Sequence, residues 1–228
     1  LKILGHRGIP VLYKENTLPS LLEPFSLGAD GIETDVRLTK DNVPVLIHDD
    51  NLMNFCGVDV KVRDLSLAEL KRYKSNGESV PTLEEFLKLA PKGKYLNIEI
   101  KEYEAAELAI SMCTTLYDGG LIFSSFNHSL ISELKVKYTS LRFGYLFDEG
   151  HAKLSDEEIF SLFEQNTYSA HLPVVGLSYF PERFLKIIKE LKRRNVKIVV
   201  WTVNDRKDIE KIWEYVDYII TDDVRLFL

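Results

Sequence analysis

Three acidic residues (Glu33, Asp35, Glu99), two histidines (His6, His48) and two cations (Arg7, Lys101) lie in or at the ends of short apolar runs. Alternate residues of a strand share a face, so Glu33 and Asp35 point the same way, as do Glu99 and Lys101. Three carboxylates converging on one place repel one another unless they are protonated, paired or metal-bound. Hard oxygen donors of this kind suit Mg2+, Ca2+ or Mn2+ and not a structural zinc. Imidazoles titrate near neutrality, which suits a general acid/base pair. Arg7 and Lys101 supply donors for an anionic group such as a phosphate.

Each residue also has a plainer reading when taken alone. His6 would then be a hydrogen-bonded structural histidine, and Glu33 and Asp35 would pair with Arg7 or Lys101 as a structural network. The chemical reading rests on the seven ionisable groups falling on matching strand ends together. His128, His151 and His171 are read in helical or loop contexts and receive no role. Glu15-Asn16-Thr17 precedes an apolar helix with Leu18, Leu21, Leu22 and Phe25 on its face, and Asn16 or Thr17 is expected to cap it.

The elements that must position these groups alternate along the chain. Apolar runs at 2–5, 31–36, 95–100, 121–125, 142–147, 174–178, 197–203 and 218–221 read as strands. Helix starts lie between them: Ser66 with Glu69 and Thr82 with Glu85 are capping boxes. Pro181 opens a helical run that ends in Lys192-Arg193-Arg194, cationic where the helix dipole is negative. Another helix is expected from Asp205 to Tyr215. Near-continuous apolar strands alternating with helices predict a parallel sheet covered by helices.

Residues 43–48 form one more strand, only six residues after Val36. A parallel crossover needs about a dozen residues, so this strand folds back as an antiparallel hairpin and is not a barrel member. A two-residue turn at Lys40-Asp41 would set Glu33 opposite His48, and one at Asp41-Asn42 would set Asp35 there. Eight parallel strands remain, which predicts an α/β fold of the (β/α)8 TIM-barrel type with catalytic groups at the C-terminal strand ends. Residues 49–80 read as a small insertion after the second strand with one short helix. The chain from 1 to 228 is expected to be a single barrel domain.

The composition agrees with that scale. The chain has 228 residues, 45% of them hydrophobic, enough for a large core. With 29 basic and 35 acidic side chains its net charge is −6, which argues against general polyanion binding, so no nucleic-acid partner is expected. Two cysteines, Cys56 and Cys113, make no disulfide framework. The apolar runs are strand-length, no amphipathic basic stretch suits a membrane surface, and no apolar leader-like segment opens the sequence. A cytoplasmic location without stable membrane association is expected.

The motifs also resemble a known family, the glycerophosphodiester phosphodiesterases. The resemblance lies in His6-Arg7-Gly8, Glu15-Asn16-Thr17, Gly28-Ala29-Asp30-Gly31-Ile32-Glu33-Thr34-Asp35-Val36 and Pro44-Val45-Leu46-Ile47-His48-Asp49. It continues through Asp64-Leu65-Ser66, Pro81-Thr82-Leu83, Asn97-Ile98-Glu99-Ile100-Lys101, Trp201-Thr202-Val203-Asn204 and Ile219-Ile220-Thr221-Asp222. It implies a TIM barrel that hydrolyses glycerophosphodiesters to sn-glycerol 3-phosphate and an alcohol, in lipid and glycerol metabolism. By motif, His6 and His48 resemble the acid/base pair, and Glu33, Asp35 and Glu99 resemble ligands of a divalent cation. Arg7 and Lys101 resemble phosphate-side cations. Trp201 and Phe126 resemble cleft walls, and Glu15 joins this substrate-side set. The residues after His48-Asp49 depart from the pattern, because 51–57 lacks the Arg and Thr that members often carry there.

Three other readings share these residues. A lysophospholipase D-like or sphingomyelinase D-like enzyme would use the same site on a lipid. A non-catalytic metal-binding barrel would be indicated by loss of a histidine or a carboxylate, and none is missing. An aldolase-type metal barrel gives no reason for two histidines with Arg and Lys.

Overall fold

The alternation of apolar runs becomes a nine-stranded sheet in the computed structural model, which describes residues 1–165 and 167–228. The strands are β1 (Lys2–His6), β2 (Gly31–Leu38), β3 (Pro44–Leu46), β4 (Tyr95–Ile100), β5 (Gly120–Ser125), β6 (Phe143–Leu146), β7 (Ser169–Pro173), β8 (Lys197–Trp201) and β9 (Tyr218–Thr221). Eight of them run parallel, and pairing of β1 with both β2 and β9 closes the barrel. β3 alone is antiparallel and pairs with β2 outside the ring.

Period-2 alternation divides the apolar residues into two cores. Ile32, Val36, Ile98, Phe123, Ala170 and Val200 face outward and pack with the helices in one continuous cluster. Leu4, Ile122, Val199, Tyr218 and Ile220 point inward and fill the barrel floor with Tyr95, Tyr168 and Trp201. On β2 the inward residues are Glu33 and Asp35, on β4 Asn97 and Glu99, so the same alternation that buries the aliphatic set aims the carboxylates into the mouth. In register, His6 lies beside Glu33, Glu33 beside Asn97 and Asp35 beside Glu99.

The helix starts expected from the sequence are built as expected. Ser66 and Thr82 each form a full capping box with Glu69 and Glu85. Pro181–Arg193 is a helix with a basic last turn. Arg206–Tyr215 is helical in the tighter 3-10 form, with Asp205 capping it. Residues 49–80 hold more structure than the one short helix expected: Met53–Cys56, Val62–Asp64 and Leu67–Leu70 are helical turns. Val45, Ile47, Leu52, Phe55, Val62, Leu70 and Val80 bury one another in a separate small core, which fixes this excursion beside the mouth.

Three expectations are corrected. The strand placed at 174–178 lies at Ser169–Pro173, while 176–179 is a short helix. The run of Val174, Val175 and Leu177 is more apolar, but a barrel strand needs only its outward residues apolar. Ala170 and Leu172 meet that need while Ser169 and His171 face in. His171 is therefore a fully buried strand residue and not a loop residue. Its ring approaches Gly144 so closely that a Cβ there would sit 2.3 Å from Nε2.

The hairpin register is the third. The observed pairs are Leu38 with Pro44 and Val36 with Leu46, one residue away from either register expected. The connection is a three-residue loop, 40–42, closed by Thr39 N–H to Val43 O at 3.1 Å, with Asn42 in the left-handed region at φ 59°. The ladder stops at Leu46, so His48 reaches the mouth from a loop rather than from a cross-strand position.

Candidate active site

His6 ends β1, and a tight turn follows in which Arg7 has φ 51° and Gly8 φ 90°. A Cβ on Gly8 would lie 2.1 Å from the Ser20 carbonyl oxygen, so only glycine fits. This turn swings the Arg7 backbone N–H onto Glu33 Oε2 at 3.0 Å. The Arg7 side chain then spans two carboxylates: Nη1 donates to both Glu15 oxygens at 3.1 Å, and Nε lies 3.4 Å from Asp35 Oδ2. Glu15 thus holds Arg7 in place.

Glu33, Asp35 and Glu99 are all buried, and each offers an oxygen within 4.8 Å of the other two. Lys101 donates to Glu99 Oε1 at 2.6 Å and lies 3.7 Å from Asp35 Oδ1. Asp35 Oδ1 is nevertheless buried without a hydrogen-bond partner among the described residues. An orphaned carboxylate oxygen on one of three clustered buried carboxyls fits a divalent cation, because clustered carboxylates of this kind are otherwise costly to bury.

The three carboxyls titrate differently. Burial, together with Asp35 and Glu99, pushes Glu33 well above the usual carboxylate range. Burial and the charge of Asp35 raise Glu99 to about 7. Burial also acts on Asp35, but Lys101, Arg7 and His48 outweigh it and hold that carboxyl below its ordinary value. Without a cation the site therefore favours a charge on Asp35 and a proton on Glu33, and a bound cation displaces protons from such carboxyls.

The histidines are held unequally. His6 Nδ1 donates to Asp222 Oδ1 at 2.7 Å, and Asp222 Oδ2 accepts from Asn204 Nδ2 at 2.7 Å. Asn204 Oδ1 in turn accepts from Thr221 Oγ1 and the Asp222 N–H. Burial would raise the Asp222 carboxyl, but the bonds from His6 and Asn204 hold it low and ionised. His48 Nδ1 donates to Asp49 at 2.7 Å, and its carbonyl accepts from Arg37 Nε at 2.8 Å, a side chain that also binds Glu102. Burial lowers the His48 pKa, with Lys101 and Arg7 adding to the effect against the charge of Asp35. In each ring Nδ1 is tied to a carboxylate, leaving Nε2 for proton exchange.

A cavity of about 160 Å³ joins these groups: His6, Arg7, Glu33, His48 and Glu99 line it together with Phe126 and Trp201. The two aromatic rings meet edge to face at 5.8 Å. Lys101 lies 5.7 Å from the centroid of Phe126, and Asp35 lies against Arg7 and Lys101. Every residue expected from the sequence therefore lies in the cavity wall or touches a residue that does.

Sequence reasoning missed several members. Asn16 does not cap the helix: its Nδ2 donates to Asp35 at 2.9 Å and its Oδ1 accepts from Thr34 at 2.6 Å. Thr17 is the N-cap residue but makes no side-chain cap bond, and its hydroxyl turns back to the Lys14 carbonyl. Asn97, Asp148 and Asp222 were also unassigned. The signal for Asn97 and Asp222 was available, since each lies two residues from an inward strand residue, Glu99 and Ile220.

Comparison with known proteins points one way. The glycerophosphoryl diester phosphodiesterase family matches residues 6–226. A glycerophosphodiester phosphodiesterase of Caldanaerobacter subterraneus subsp. tengcongensis is 32% identical over 237 residues, covering 97% of this chain and 93% of the relative. The crystal structure of a glycerophosphodiester phosphodiesterase from Thermotoga maritima is 36% identical with a TM-score of 0.89, covering 100% of this chain and 96% of that one. An Oleispira antarctica phosphodiesterase, solved in complex with its product sn-glycerol-3-phosphate, is 25% identical with a TM-score of 0.84 over 99% of this chain and 95% of its own.

These likenesses and the barrel with its mouthful of carboxylates, imidazoles and cations define a (β/α)8-barrel phosphodiesterase. The chain belongs to the glycerophosphoryl diester phosphodiesterase family.

Proposed function

We propose that this chain hydrolyses glycerophosphodiesters to sn-glycerol 3-phosphate and an alcohol by general acid–base catalysis with His6 and His48, and with a divalent cation held by Glu33, Asp35 and Glu99. The observation that carries this reading is the opening of both imidazoles, His6 and His48, onto one cavity with Arg7, Glu33 and Glu99. When bound, a Mg2+, Ca2+ or Mn2+ ion supplies charge neutralisation and orientation for a phosphate oxygen.

The remaining work falls to the chain's own side chains. One histidine takes the proton from the attacking hydroxyl or water, and the other gives a proton to the leaving alkoxide through its free Nε2. Asp222 and Asp49 keep each ring in the tautomer this requires. Arg7, steadied by Glu15, and Lys101 stabilise charge that builds on the phosphate oxygens. Phe126 and Trp201 wall the cleft and limit access of bulk water. The barrel and its insertion at about 49–80 act as one catalytic unit, with His48 on the loop that leads from β3 into the insertion.

A small-molecule diester acting in the cytoplasm is part of the same reading. Supporting it are the two free thiols, with the Cys113 thiol pushed up by burial. Among the described residues no helix is long and apolar enough to cross a membrane. The test is product identity: phosphorus NMR of a metal-supplemented reaction on glycerophosphoglycerol should show sn-glycerol 3-phosphate. Absence of any cleavage contradicts the reading.

A further inference from the structure

The two imidazoles of the cavity are carried differently. His6 ends β1 in register beside Glu33, so the ladder that closes the barrel sets its place. His48 has no ladder. The pairing of β3 ends at Leu46, and residues 47–50 belong to no strand or helix. The Asp49 carboxylate on its ring belongs to the same loop, with a side chain 36% exposed. It orients the imidazole within the loop without tying it to the barrel. A proton-transfer group on a loop needs a further support, because a displacement of about 1 Å can cost roughly 10²-fold in rate.

Two hydrogen bonds bracket His48. Before it, the Ile47 N–H donates to the Asp35 carbonyl at 3.0 Å. After it, the His48 carbonyl accepts from Arg37 Nε at 2.8 Å. The first bond fixes one point of the loop on β2. The second stops rotation of the peptide that joins His48 to Asp49, and so also fixes the residue whose carboxylate holds the ring. Arg37 lies two residues beyond Asp35 on β2 and shares its face. It is itself held: Nη1 donates to Glu102 Oε1 at 3.1 Å, and Glu102 Oε2 accepts from the Leu38 N–H at 3.1 Å. Both side chains are largely withdrawn from water, at 15% and 21% exposed, which sets the pair apart from surface ion pairs that contribute little.

We propose that Arg37, backed by Glu102, is a positioning residue for His48, clamping the 48–49 peptide so that the imidazole faces the cavity it shares with His6. The proposal rests on the acid–base reading of His48 and adds how this chain places that group. A guanidinium suits the task because its Nε and Nη1 donate in fixed directions to two acceptors at once. Here these are the carbonyl on the loop and the carboxylate just beyond β4. A lysine would bring the charge without the fork.

The test is a double-mutant cycle on the metal-loaded protein with glycerophosphoglycerol, joined to calorimetric titration with Mn2+. Arg37→Met keeps an extended side chain and removes its donors. It should lower kcat roughly 10–100-fold, the scale of a misplaced catalytic group, with KM and Mn2+ affinity within about twofold of wild type. In the His48→Ala background the same substitution should change kcat by less than about twofold, because no imidazole is left to position. An equal loss in both backgrounds, or a matching drop in Mn2+ affinity, overturns the proposal and leaves the pair as a tie between β2 and β4. An unchanged kcat in Arg37→Met overturns it as well. Should Arg37→Met fail to fold, Arg37→Lys decides by the same cycle: a loss confined to the background that keeps His48 supports the clamp, and any other pattern overturns it. No wild-type turnover, or turnover undiminished in His48→Ala, contradicts the acid–base reading itself and the clamp falls with it.

Discussion

Asp222 Oδ1 lies 2.7 Å from His6 Nδ1, and the other oxygen of the same carboxylate is pinned by Asn204. The pair joins the first barrel strand to the end of the last, across the closure of the ring. This arrangement fixes both the tautomer and the direction of the His6 ring.

Asp222→Asn is therefore expected to lower kcat with KM nearly unchanged, because the ring loses its acceptor while the substrate keeps its contacts. The loss should fall below the roughly 10²–10⁴-fold expected on removing His6 or His48. Steady-state kinetics on glycerophosphoglycerol check it, and an unchanged kcat contradicts the positioning role.

Asn16→Ala removes the amide that orients Asp35. By analogy with other groups that orient metal ligands, metal affinity should drop roughly 10–100-fold. Calorimetric titration with Mn2+ reads this directly. Unaltered affinity would mean that Asn16 only ties its loop to Thr34.

The raised carboxyls predict a pH-dependent stability gap. Glu99 binds its proton more tightly in the folded, metal-free chain than in the unfolded one, so its contribution is full below the ordinary value of 4.5 and is lost as pH rises through about 7. Glu99→Gln should match wild type near pH 5 and melt at higher temperature by pH 8. The gap should reach about 5–10 °C, since 1 kcal/mol moves Tm by roughly 2–4 °C in a chain this size. Calorimetry on the stripped proteins checks it, and a gap independent of pH contradicts it.

His171 acts in the opposite sense. Burial pushes its pKa down to about 3 from 6.5, so the folded chain refuses a proton that the unfolded chain takes up. Its contribution is full above pH 6.5 and declines as pH falls toward 3, by about 1.4 kcal/mol per unit. Denaturant unfolding of His171→Gln between pH 4 and 8 should show a shallower acid decline. An identical slope would place the proton elsewhere.

Much of the barrel was legible because strand periodicity places the apolar and acidic residues on opposite faces of the same strand, as in Ile32-Glu33-Thr34-Asp35-Val36. The site residues were legible for the same reason, since each of Glu33, Asp35 and Glu99 is a costly charge inside an otherwise apolar strand. The β7 strand was not, because its inward Ser169 and His171 leave only two outward apolar residues, and the neighbouring valines carry a stronger signal. The hairpin register was not either: whether a turn holds two or three residues depends on Asn42 adopting a left-handed conformation, which spacing does not reveal. Asn16 was hidden by its position, because an asparagine before a helix reads as a cap until its partner Asp35 is seen across the turn.

In the proposed function the buried carboxylates hold a cation without which the two histidines cannot work. Its most direct test is release of sn-glycerol 3-phosphate from glycerophosphocholine by protein exhaustively stripped with chelator, before and after adding back Mg2+, Ca2+ or Mn2+. Turnover should be lost on stripping and recover with at least one of the three ions. Full turnover by the stripped protein would contradict it.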